Sequence, residues 1–157
     1  MTKNKRFKYI NSTLKFSIAG FLLPALGAIL FLGLQMGLSF LGIECSTAIK
    51  TLWTITSLGL VITPIVFIHL ITKKLNAGDN LTSNELIIFN IIEYFFLQCS
   101  LASLFTTSNT LCYVTDGQNG LEFAFTGWMA IPVLIIFSLV FDFITKKKLQ
   151  DSRLEKS

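Results

Sequence analysis

A chain of 157 residues has the length of one domain. Hydrophobic residues make up 52% of it and charged residues only 14%, against about 25% in a soluble domain, so most of the chain cannot face water. The net charge of +4 sits at the edges of apolar runs, with no arginine-rich stretch interleaved with aromatics, which argues against nucleic-acid binding and for membrane orientation.

The first apolar segment runs over about 16–43 and carries no charge. It follows a basic stretch from Lys3 to Lys15, as a signal peptide would, but it far exceeds the roughly 7–15 residues of a signal-peptide core. It is expected to be a retained helix, bent at Pro24. Gly33 and Gly37 form a small-xxx-small pair that lets helix backbones approach closely. Packing within the chain is the default use of such a pair, and self-association is the other. A loop over 44–51 should follow.

The second segment spans about 52–72, the third about 86–106 and the fourth about 123–145. Each meets the roughly 20 residues that cross about 30 Å of hydrocarbon at 1.5 Å per residue. The runs are too long and too evenly apolar for transmembrane strands, which leaves helices as the structure that satisfies the backbone. Thr82 and Glu85 form a capping-box pattern before the third helix. Asp116 to Gly120 reads as a turn before the fourth. The fold class is therefore an all-α membrane protein, with four transmembrane helices in an antiparallel up-down bundle. A basic tail over 1–15, a membrane domain over 16–145 and a second basic tail over 146–157 make up the chain.

Orientation follows from counting basic residues loop by loop. Lys3, Lys5, Arg6, Lys8 and Lys15 precede the first helix; Lys73 and Lys74 lie between the second and third; Lys146, Lys147, Lys148, Arg153 and Lys156 follow the fourth. Of the 13 basic residues, only Lys50 falls on the other side. The positive-inside rule then places both termini in the cytoplasm of a bacterial inner membrane. Trp53 and Trp128 should lie toward the opposite face. The patterns Asn11-Ser12-Thr13 and Asn80-Leu81-Thr82 resemble glycosylation sites, but both fall on the cytoplasmic side.

Polar residues inside the apolar segments are the candidate sites. Glu93 lies about two turns into the third helix, where an ionised carboxylate costs several kcal/mol unless it is paired or hydrated. Asn90, Glu93, Ser100, Ser103 and Thr107 share an arc of about 140° on the helical wheel, which should face the bundle interior. His69 and Asp142 each lie one turn before a lysine pair. Adjacent helices could bring Glu93, His69 and Asp142 together, with Asn90, as a polar cluster, for proton-linked transport or for fixing helix register. The second and fourth helices also end alike, in Ile71-Thr72-Lys73-Lys74 and Ile144-Thr145-Lys146-Lys147, a weak trace of a duplicated hairpin.

Cys45 and Cys112 both fall on the outer side, an oxidising compartment, where a disulfide would staple the helical hairpins. Cys99 reads as an apolar filler inside the third helix. Four helices with outer cysteines resemble the quinone-coupled disulfide oxidases in architecture. Those enzymes use a Cys-x-x-Cys pair, which this chain lacks. No Walker, GxSxG or HExxH motif is present, and one histidine cannot build a multi-histidine metal site.

The expected function is binding in the membrane without catalysis, as an interaction, accessory or immunity-type protein. Its partners would be the lipid bilayer and another membrane protein or a second copy. Four-helix immunity proteins against pore-forming colicins share this topology. A small oligomeric transporter or channel using Glu93 is the alternative, and a membrane enzyme has least support. No cofactor is expected.

Overall fold

The computed structural model describes residues 9–79, 82–113 and 118–154. It is all-helical over those residues: α1 (Tyr9–Leu22), α2 (Leu26–Phe40), α3 (Cys45–Asn76), α4 (Ser83–Phe105), α5 (Ser108–Tyr113) and α6 (Gln118–Leu154). Three of these, α3, α4 and α6, are long and apolar enough to cross a membrane. Lys3, Lys5, Arg6, Lys8 and Lys156 of the basic tails lie outside the described residues, as do Asn80, Leu81, Asp116 and Gly117.

The segment expected as one helix over 16–43 is two helices meeting at 69°. The reason is Pro24. It lacks the N–H that would bond the carbonyl of Gly20, and its ring crowds that carbonyl. The turn closes instead through Leu26 N–H donating to the Leu23 carbonyl at 3.3 Å. At 1.5 Å per residue, the described residues of α1 cover about 21 Å and those of α2 about 22 Å, so neither described stretch alone reaches across about 30 Å of hydrocarbon. Pro64 and Pro132 lie inside α3 and α6, which continue through them.

The helices also run past the limits of their apolar cores. Residues 9–15, expected in a tail, form the start of α1, and 45–51, expected as a loop, form the first turns of α3. Gln118 to Gly120, expected as part of a turn, begin α6. Two helices end in a Schellman motif that uses a glycine at positive φ. After α2, Gly42 (φ 85°) lets Ile43 N–H reach the Leu38 carbonyl; after α3, Gly78 (φ 78°) does the same for Asp79 and Lys74. At the start of α4 the Thr82–Glu85 capping box is formed in both directions, and Glu85 also pairs with Lys74 at 2.6 Å.

Helix α4 packs against α1, α2, α3 and α6, and is the most enclosed of the long helices. Three apolar clusters stack along it. At one end Phe67, Phe89 and Phe141 interlock, with ring centroids 4.4–5.1 Å apart. Tyr94, Leu97, Ala130 and Leu134 fill the middle. Phe31, Ile49, Leu52, Cys99 and Phe123 fill the end that carries Cys45 and Cys112. Outside, the surface is apolar: Val61, Ile65, Ile136 and Phe143 are each more than half exposed. Inside are Thr13, Thr56, Asn90, Glu93, Gln98 and Thr126, all nearly or fully buried. Apolar side chains outside and polar ones inside is the arrangement that hydrocarbon, not water, selects.

Candidate functional site

Three polar side chains of α4 lie within the bundle, and each meets a different fate. Asn90 exchanges long hydrogen bonds with the Thr13 hydroxyl of α1, at 3.4 and 3.5 Å. Gln98 donates from Nε2 to the Pro24 carbonyl at 2.6 Å and to the Phe123 carbonyl at 3.0 Å. Glu93 is fully buried, and neither carboxylate oxygen has a hydrogen-bond partner among the described residues. One turn before it Phe89 belongs to the aromatic cluster, and one turn after it Leu97 belongs to the middle cluster, so apolar packing seals it on both sides.

The four residues expected as one polar cluster are not brought together. His69 is exposed on the outer face of α3, because Phe67 and Ile71 turn the opposite face inward. Asp142 is half-buried and accepts the N–H of Tyr9, the first described residue of α1, at 3.1 Å. Thr145 donates to Tyr9 Oη at 3.2 Å beside it. Asn90 and Asp142 thus both hold α1, at Thr13 and Tyr9, one turn apart.

The residue that sequence reasoning missed is Gln98. A helix broken in hydrocarbon leaves carbonyls without donors, and each must find one. Gln98 takes the Pro24 carbonyl, and Trp128 Nε1 takes the Phe21 carbonyl at 3.1 Å while its ring stacks on Phe21. Trp128 is therefore engaged with the break rather than free at an interface. Glycines make room for this pin. A Cβ at Gly27 would run into Gln98 Oε1, and one at Gly127 would lie 2.5 Å from the Pro24 carbonyl and 2.6 Å from Tyr94 Oη. Gly33 and Gly37 pack against none of the described residues: a Cβ on either meets nothing within 4 Å among them. Their expected intramolecular role is taken by Gly27, Gly59 and Gly127, where close approach does occur.

At the other site Cys45 and Cys112 are joined by a disulfide, with Cα atoms 6.0 Å apart. It ties the first residue of α3 to α5. Polar contacts surround it: Gln35 donates to Cys45 Sγ at 3.3 Å, Ser46 to Ser108 at 3.1 Å and Tyr113 to Glu44 at 3.1 Å. The Glu44 carboxylate holds the Tyr113 phenol above its usual pKa range. Cys99 is buried and free.

Among the described residues no group of three or more His, Cys, Asp or Glu could hold a metal ion. Of the buried polar side chains, Gln98 reaches the backbone of other segments, while Ser17, Thr56, Thr126 and Ser138 bond carbonyls of their own helices. No protein-family model, curated protein or solved structure matches the chain.

Proposed function

We propose that the chain is a multi-pass protein of the bacterial inner membrane that acts by binding another membrane protein, as an accessory or immunity-type subunit, without catalysis. The observation that carries this reading is the open face of α2. Ile29, Met36 and Phe40 are more than half exposed around Gly33 and Gly37, which pack against none of the described residues. A glycine pair left open on an apolar helix offers a second helix close backbone approach.

Both termini in the cytoplasm and neighbouring helices antiparallel complete the reading. The basic-residue count supports the first, and so does the disulfide, which belongs in an oxidising compartment. Contacts of Tyr9 with Asp142 and of Phe21 with Trp128 support α1 running against α6.

Co-purification in mild detergent tests the partner. The unmodified protein should bring down a second membrane protein, and Gly33→Leu with Gly37→Leu should lose it while the protomer keeps its thermal stability. Recovery of the lone protomer from the unmodified protein counts against the reading. A second reading, a small oligomeric transporter, draws on Glu93, the sealed carboxyl without a partner. It requires that Glu93→Gln abolish proton-linked flux, and undiminished flux in that variant ends it.

A further inference from the structure

The break at Pro24 has a second effect on the surface. Because α2 leaves the axis of α1 by 69°, it uncovers the wall formed by the last turn of α4 and the first turns of α6. An open groove of about 630 Å³ lies there, lined by Pro24, Phe105, Leu121, Ala124, Phe125 and Trp128. Its volume falls within the roughly 300–1,000 Å³ of small-molecule sites. The one charged lining residue is Glu122, which is exposed and forms no ion pair among the described residues.

We propose that this groove binds one acyl chain of a phosphatidylethanolamine, with the lipid ammonium on the Glu122 carboxylate. The apolar wall offers water almost no hydrogen bonds, whereas an alkyl chain matches it, and at the level of a bilayer lipid is the molecule at hand. Charge decides the headgroup. Among the described residues the lining carries a carboxylate and no cation, while Glu44, beside the disulfide, and Lys50, in the first turns of α3, lie at the same end of the bundle outside the lining. A net anionic lipid meets like charge here. The ethanolamine ammonium brings three N–H donors to the carboxylate, while a choline headgroup brings charge without donors.

The inference rests on the membrane reading of the chain and is independent of the protein partner. Tryptophan fluorescence in nanodiscs tests it, since Trp128 lines the groove and is 45% exposed. Trp53→Phe removes the other tryptophan and keeps an aromatic ring against Phe31. In that background, acyl-brominated phosphatidylethanolamine should quench Trp128 with about two- to fivefold higher apparent affinity than brominated phosphatidylglycerol, the range of an exposed ion pair. Brominated phosphatidylcholine should fall between. Glu122→Gln should bring the ratio to about one, Glu122→Lys should reverse it, and Ala124→Leu, which fills the wall, should weaken quenching by phosphatidylethanolamine. Equal quenching by all three lipids, or a ratio unmoved by both Glu122 variants, overturns the proposal. Absence of quenching by any brominated lipid overturns the membrane reading itself.

Discussion

At the scale of residues, the strongest constraint falls on Gln98. Its amide nitrogen serves two carbonyls, that of Pro24 in the break between α1 and α2 and that of Phe123 on α6. A leucine of similar size would leave both without that donor, at a cost of about 1–3 kcal/mol for a buried group left unpaired. Thermal unfolding in detergent should show Gln98→Leu and Gly127→Ala both destabilised, the second because its Cβ would press on a backbone carbonyl that cannot yield. Gly33→Ala should stay within about 0.5 kcal/mol of the unmodified protein, since nothing stands near it. Equal effects at Gly127 and Gly33 would refute the assignment of close packing to one and open surface to the other. Asn90 and Glu93 were legible in the sequence because a polar residue in an apolar run has few places to go. Gln98 was not. Five residues beyond Glu93, at 100° per residue, it points about 140° away from it, off the stripe that the wheel selected. A stripe is a sound guide when a helix has one buried face, but α4 has neighbours on nearly every side. His69 failed for a related reason: its position along the chain fixed its depth, while its direction depended on which face of α3 the aromatic cluster drew inward.

At the scale of elements, three of the four expected spans are single helices long enough to cross a membrane, a length that bilayer thickness makes readable. The continuity of a segment was not readable. Three prolines lie within the apolar segments, and only Pro24 breaks its helix, while Pro64 and Pro132 are accommodated. The difference lies in distant partners. Trp128 and Gln98 stand ready for the carbonyls that the break releases, and no local pattern announces them. The disulfide belongs to this scale too, since it joins α3 to α5 across a sequence separation of 67. Closing such a loop is worth up to about 4 kcal/mol in chain entropy. Cys45→Ser should therefore lower the unfolding midpoint in detergent, and reductant should lower that of the unmodified protein to the same value. An unmodified protein indifferent to reductant would show that the bridge carries no stability.

At the scale of the whole molecule, the bundle holds its polar groups inside and presents apolar side chains outward. Composition already implied an environment of lipid, because 14% charged residues cannot cover a surface in water. The proposed orientation carries its own prediction. A fluorescent protein that matures only in the cytoplasm should be bright when fused after residue 157, and alkaline phosphatase, which needs an oxidising compartment, should be inactive there. The reverse pattern would invert the bundle and place the disulfide in a reducing compartment, where it would not persist.

The bonds that quiet the break at Pro24 span 74 residues to Gln98 and 107 to Trp128. That distance has a meaning in time as well as in space. During synthesis α1 and α2 emerge before α4 and α6, with their carbonyls released, and the side chains that satisfy them are still untranslated. Helices α3, α4 and the start of α6 must all arrive before the first segment can settle. The early chain has to be held, by the insertion machinery or by lipid headgroups, in a place where water still reaches its backbone. A chain stopped before α4 would therefore be a substrate for proteolysis rather than a smaller version of the same bundle.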